Sequence, residues 1–262
     1  MAINGIRTIQ NGKYIIFFIE SFSDELQELI RSQLQGIFHG FSEYDSLDEY
    51  YSYQNTLKSF LDRYNSKDNK SKKGIIGELL AHIILNHELV NFKSLSILKN
   101  KEERQVKKGF DIIYYNTDNI KLWYTEVKSG NKRSSSSNCS EANTILLNRS
   151  KKSISEMIDE KRQSLWDSAL IDVRLMIKQE EGLLDIRKVL ANDSPNFKSD
   201  QKKRVILISV LYSELSELIE EISISDFTDK AITEDNFEDI IVISIQKRMF
   251  ETIATFLTTE VA

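Results

Sequence analysis

Asp111, Glu126 and Lys128 are the residues of this chain whose types and spacing could do chemistry together. They fall in residues 108–130, KGFDIIYYNTDNIKLWYTEVKSG, which read as two strands joined by a turn at Asn116-Thr117-Asp118-Asn119. Asp111 stands near the start of the first strand and Glu126 near the end of the second, so antiparallel pairing brings both carboxylates to one end of the hairpin. Strand side chains alternate, which puts Glu126 and Lys128 on one face and Val127 on the other. Acids are depleted in strands and rarely buried unless paired or bound to a metal. These acids nevertheless sit among Phe110, Ile112, Ile113, Tyr114 and Tyr115 and among Leu122, Trp123 and Tyr124. Hard oxygen ligands on a rigid hairpin suit Mg²⁺, which takes one or two carboxylates plus substrate phosphates and water. The amine would then orient an attacking water and offset charge on a phosphorane-like transition state. The expected chemistry is phosphodiester hydrolysis.

A further acid, Glu78, interrupts the apolar run of residues 74–85, GIIGELLAHIIL. As a helix this run is buried on most sides, so Glu78 needs a partner such as a lysine or a metal-bound water. His82 lies one turn on; a hydrogen-bonded core histidine is the preferred reading, because Mg²⁺ favours oxygen. His87 follows His82 by five residues, the wrong spacing for the paired histidines of a zinc-protease helix.

The elements that must position these groups follow from periodicity. Residues 13–19 read as a strand, followed by a helix capped by Ser23 with the stripe Leu26, Leu29, Ile30, Leu34, Ile37 and Phe38. The tyrosine-rich residues 44–53 read as a packed helix start, and residues 65–73 as a lysine-rich loop. Residues 94–98 read as a strand leading through a basic loop to the hairpin. Residues 131–140 are polar and short of apolar anchors, which predicts a mobile loop beside the active end. Residues 141–190 read as helical throughout, residues 192–203 as a polar break containing Pro195, and residues 204–212 and 239–245 as central strands. An acidic helix and loop separate those strands, and residues 249–261 read as a final helix packed on the sheet.

At 262 residues the chain suits one elaborated domain, and its 40% apolar and 29% charged residues argue against wholesale disorder. One cysteine, Cys139, excludes an internal disulfide framework and fits a reducing cytosol. No leader opens the chain and no apolar run nears the ~20 residues of a membrane span, so a cytoplasmic protein without a membrane association is expected. The net charge of -5 is unevenly placed: residues 213–239 carry ten acids against one base, Lys230. Lysines and arginines instead cluster around the proposed centre, at Lys67, Lys70, Lys72 and Lys73, at Lys99, Lys101, Arg104, Lys107 and Lys108, at Lys132 and Arg133, and at Arg149, Lys151 and Lys152. Phosphate affinity follows such a local cationic face.

The order of Glu78 on a helix, Asp111 at the head of a strand and Glu126-Val127-Lys128 at the tail of the next resembles the PD-(D/E)xK nuclease superfamily over roughly residues 72–212. More narrowly, Gly77-Glu78, residues 108–111 (KGFD) and residues 124–128 (YTEVK) resemble the HamA family, whose members are nuclease subunits of the Hachiman antiphage defence system. The resemblance implies a restriction-endonuclease-like α/β core, a mixed central sheet flanked by helices, in residues 67–262, with an N-terminal, partner-facing α/β extension in residues 1–66. It implies a Mg²⁺-dependent deoxyribonuclease, with Mn²⁺ as a substitute ion, acting on DNA beside a HamB-like superfamily 2 helicase. By position, Asp111, Glu126 and the Val127 carbonyl would ligate the metal, Lys128 would serve the water, and Glu78 would support metal or water. Phe110 stands where the superfamily name has proline, a departure that leaves the acidic ligand in place. Lys72, Lys73, Lys107, Lys108, Lys132, Arg133, Arg149, Lys151 and Lys152 would face nucleic acid. No Gly-x4-Gly-Lys phosphate loop occurs, so a motor within this chain is not expected, nor is a small-molecule cofactor. Competing readings are a catalytically inert DNA-end or partner-binding adaptor, and a stand-alone restriction or resolvase-type endonuclease.

Overall fold

The computed structural model of the chain describes residues 2–41, 49–98, 109–159, 163–177, 180–198 and 201–261. The tyrosine-rich residues 44–48 and the basic residues 99–108, with Lys107 and Lys108, lie outside them. Seven strands form one mixed sheet in the order β1-β2-β7-β6-β5-β4-β3: β1 Ile6–Asn11, β2 Tyr14–Ile19, β3 Phe92–Ser94, β4 Ile112–Asn116, β5 Leu122–Asn131, β6 Arg204–Tyr212 and β7 Asp239–Lys247. The four central strands β2, β7, β6 and β5 run parallel, while β1, β4 and β3 pair antiparallel at the two edges. Parallel strands are covered on both faces, which is why β6 and β7 read as nearly unbroken runs of Val, Ile and Leu.

Helices cover both faces. On one lie α1 Asp24–His39, α2 Tyr53–Asn65, α3 Asn69–Glu88 and α9 Glu251–Thr259, packed on Ile112, Tyr114, Val127, Ile206, Ile208 and Ile243. On the other lie α4 Cys139–Asp159, α5 Gln163–Met176, α6 Glu180–Asn192 and α8 Glu221–Thr233, packed on Ile113, Tyr124, Val205, Leu207 and Val242; α7 Pro195–Lys198 is a short turn of helix before β6. The alternation along each strand thus assigns successive side chains to two separate apolar layers. This architecture is consistent with an α/β nuclease-like core.

Four local expectations need correction. The first strand is preceded by another, β1, joined to it by a two-residue turn at Gly12-Lys13, where Gly12 takes a φ of +55°. The lysine-rich segment before Gly74 is mostly helix, because the Asp68 carboxylate accepts the Ser71 N–H at 2.7 Å and starts α3 at Asn69. The strand expected at residues 94–98 is only β3, Phe92–Ser94; beyond it the Ser96 hydroxyl takes the Ile113 N–H at 2.9 Å in place of a ladder partner. The segment after β5 is anchored rather than loose: Ser136 and Cys139 are buried, Lys132 pairs with Glu217 at 2.6 Å, and the same Glu217 accepts the Cys139 N–H at 3.2 Å.

The boundary expected at residues 66/67 falls between α2 and α3, and β2 from the first part is in register with β7 from the second. The chain therefore closes one continuous sheet across that point.

Candidate active site

β4 and β5 pair as Ile112 with Thr125 and Tyr115 with Leu122, around a loop closed by the Asn116 N–H on the Lys121 carbonyl at 2.9 Å. This register sets Asp111, the residue just before β4, across from Glu126. Phe110 anchors the approach: its ring is buried against Tyr124 and Trp166, at 4.7 and 5.4 Å between centroids. Asp111 Oδ2 accepts the Val127 N–H at 2.7 Å, so the carboxylate continues the ladder where β4 ends. The N–H and C=O of one strand residue face the same edge. The Val127 carbonyl accordingly shares the edge on which Asp111 sits.

Glu126 is buried, at 3% exposed, and its Oε1 takes both the Lys128 ammonium and the Ser153 hydroxyl, the latter at 2.8 Å. Burial pushes the Glu126 carboxyl up to about 8, and the neighbouring Asp111 charge pushes in the same direction; Lys128 and Ser153 pull it back only in part. Burial alone would lower Lys128, but the charges of Glu126, Asp111 and Glu78 together outweigh it and hold the ammonium above its ordinary pKa. The four groups named from the sequence therefore share one electrostatic neighbourhood, with more acid than base in it.

Glu78 reaches this neighbourhood because α3 lies unusually close to β5. A Cβ on Gly77 would stand 2.7 Å from Ser129 Cβ, so only glycine permits the approach. The Ser129 and Tyr212 hydroxyls donate to the Lys73 carbonyl at 3.0 and 3.2 Å and dock the start of α3 on β5 and β6. His82, further along α3, is fully buried.

Asp111, Glu126 and the Val127 carbonyl are all oxygen donors, the set a hard cation such as Mg²⁺ takes. Burial first, and the Asp111 charge second, disfavour an ionised Glu126, and a divalent ion on these oxygens would relieve both; in that respect the residues fit the ion. Among the described residues no group of three His, Cys, Asp or Glu side chains is arranged to hold a metal, so two carboxylates and a carbonyl are the direct donors on offer.

The cationic residues divide. Lys132 is paired with Glu217, Lys151 with Glu234 at 2.7 Å, and Lys152 with Glu156 at 3.7 Å. Lys72 and Lys73 lie over the rings of Tyr64 and Phe250, at 5.1 and 5.6 Å. Arg133 and Arg149 are exposed.

Sequence reasoning missed the serines Ser150, Ser153 and Ser129, and a buried polar set that seats α4. In that set Asn143 Nδ2 donates to Ser244 Oγ at 2.9 Å and Ser209 Oγ donates to Asn143 Oδ1 at 2.6 Å, all three residues being fully buried. A polar position on an otherwise apolar helix face, as at Asn143 and Ser150 between Ala142, Leu146, Leu147 and Ile154, is the signal that could have found them.

Sheet and site together define an α/β fold of nuclease-like type with an acidic, lysine-paired centre on its sheet. The chain belongs to the HamA family, whose family model matches residues 5–258. It is therefore a protein related to Hachiman defence, a system that implies partner proteins. No protein of curated function matches the chain. No helix among the described residues is long and apolar enough to cross a membrane.

Proposed function

We propose that this chain is a metal-dependent DNA nuclease, the effector subunit of an antiphage complex governed by a HamB-like superfamily 2 helicase. The observation that carries the reading is the juxtaposition on β4 and β5: Asp111 across from Glu126, the Val127 edge between them, and Lys128 on Glu126. Asp111, Glu126 and the Val127 carbonyl would hold Mg²⁺ or Mn²⁺, which when bound supplies Lewis acidity toward a phosphate oxygen and a more acidic water. Lys128 keeps a positive charge beside the scissile phosphate and orients the attacking water. Glu78, one step further from the carboxylate pair, steadies that water or a metal-bound one.

DNA would be drawn in by the exposed Arg133 and Arg149 and by Lys72, Lys73 and Lys152, with Lys107 and Lys108 in the segment before Asp111. Lys132 and Lys151 spend their charge on Glu217 and Glu234 and contribute less. The acidity of residues 213–239 limits capture by the chain alone and makes a partner's contribution to affinity expected. Residues 67–262 carry the nuclease-like centre, and residues 1–66 add the β1 edge and α1, which form the partner-facing side. The reading places the protein in the cytoplasm, where phage DNA is met.

The test is digestion of supercoiled, linear and single-stranded DNA with Mg²⁺, by the wild type and by Glu126→Ala, with and without a neighbouring helicase. Cleavage that requires Mg²⁺ and disappears in the variant supports the reading. Metal-independent cleavage, or a variant that cuts normally, overturns it. A protein that binds DNA ends and never cuts in either setting would be the inert adaptor.

A further inference from the structure

Two serines of α4 meet β5 at the same residue, and neither belongs to the acid and lysine set. Ser150 Oγ donates to the Glu126 carbonyl at 2.7 Å, and Ser153 Oγ donates to Glu126 Oε1 at 2.8 Å. Residues three apart lie on one face of a helix, so a single turn of α4 holds both the backbone and the side chain of Glu126. The Lys128 ammonium falls on that same Oε1. Both interactions are thus gathered on one oxygen, and Oε2 carries neither.

The helix that delivers these serines is itself fixed. Asn143 is hydrogen-bonded to Ser209 and Ser244, which stand in one cross-strand row with Lys128. Asn143 and Ser150 are seven residues apart, roughly 10 Å along the helix axis. That is about the separation of two strand spacings, so α4 crosses from β7 and β6 to β5 with a polar pin at each end. Buried polar groups satisfied in this way specify position more than they add stability.

We propose that Ser153, set in place by Ser150, is a positioning residue that anchors Oε1 of Glu126 and so presents Oε2 to the divalent cation. The inference rests on the nuclease reading and adds to it the element that aims the ligand. A carboxylate in a site of this kind has two equivalent oxygens and a free χ3 rotation; a hydroxyl on one oxygen removes that freedom before the ion arrives. Partners of this kind that orient metal ligands typically govern metal affinity about 10–100-fold.

The experiment compares the full-length wild type with Ser153→Ala, Ser153→Thr and Glu126→Gln, measuring Mg²⁺ and Mn²⁺ binding by titration calorimetry, with thermal melting alongside. Ser153 is only partly buried, so its alanine variant is expected to fold with a melting temperature close to wild type. The expected result is metal affinity weaker by about tenfold or more in Ser153→Ala, restored in Ser153→Thr, which keeps the hydroxyl. Wild-type affinity in Ser153→Ala, with Glu126→Gln still defective, overturns the positioning role and leaves the nuclease reading standing. A wild type that binds neither ion removes the basis of both. If Ser153→Ala should melt early, the Ser153→Thr comparison decides: weak binding in a stable threonine variant also overturns the role.

Discussion

Asp111 Oδ2 accepts the backbone N–H of Val127 at 2.7 Å, so one carboxylate both ends the β4–β5 ladder and stands beside the strand edge that carries the Val127 carbonyl. Its two functions are separable by substitution. Asp111→Asn keeps an acceptor for the N–H but loses the charge, and it should fold with little change while losing cleavage. Asp111→Ala should lose cleavage and also about 1–2 kcal/mol of stability, the cost of leaving a partly buried N–H without its acceptor. Urea denaturation of the two variants beside a DNA digestion distinguishes the roles; equal stability of Asn and Ala variants would show that the hydrogen bond carries no weight.

Glu126 holds its proton to about pH 8, against an ordinary value of 4.5, chiefly because it is buried and secondly because Asp111 is near. Between those values the unfolded chain has released the proton and the folded chain has kept it, so stability falls as pH rises through that window. The slope for a single group is at most about 1.4 kcal/mol for each pH unit. Glu126→Gln should therefore melt higher than wild type at pH 8 and lose most of that advantage at pH 5. Calorimetric melting at the two pH values measures this, and a difference that is the same at both would contradict it. Added Mg²⁺ should raise the melting temperature of the wild type at pH 8 and leave Glu126→Gln nearly unmoved, because the ion replaces the proton.

Among the described residues, Lys128 is the cation set against the charges of Glu126, Asp111 and Glu78. Its removal in Lys128→Met leaves the carboxylates to repel one another, which raises the Glu126 carboxyl further. Cleavage at saturating Mg²⁺ should fall by about 10²-fold or more, the usual loss when a transition-state charge partner is removed. Single-turnover rates on linear DNA, which are insensitive to product release, test this directly; an unaltered rate would assign Lys128 to charge balance alone.

At Gly77 α3 lies against Ser129 of β5 with no room for a side chain. In Gly77→Ala the new Cβ meets Ser129 Cβ at 2.7 Å, which forces the helix outward and takes Glu78 with it. The expected cost is about 1–3 kcal/mol, with reduced cleavage. Adding Ser129→Gly makes room and should recover part of both. Failure of the double variant to recover either would mean that the close approach is not what places Glu78.

Much of this centre was legible before any coordinates, because alternation in a hairpin fixes which side chains share a face and which lie opposite. Asp111, Glu126 and Lys128 came together for that reason, and Glu78 stood out as a charge in an apolar helix. Of the serines, Ser150 could have been found from its place on the apolar stripe of α4, but Ser153 lies beside that stripe and serine is common on helix surfaces, so nothing in local periodicity says that it meets Glu126. β1 was overlooked because its outward residues, Thr8, Gln10 and Asn11, leave an edge strand polar, although Asn11-Gly12 is a strong turn signal. Cation roles were legible only as clusters. That Lys132 and Lys151 reach Glu217 and Glu234, 85 and 83 residues away in sequence, depends on how α4 and the acidic segment pack.

The pairing of β2 with β7 has a temporal consequence. Lys13 and Asp239 form an ion pair at 2.5 Å across 226 positions of sequence, and the Val242 N–H is bound to the Lys13 carbonyl at 2.9 Å. During synthesis the β1–β2 hairpin must wait for residues 239–247 before β2 has its parallel neighbour. Contacts that span so much chain form late. A nascent chain therefore carries an open sheet edge at β2 until β7 has been made.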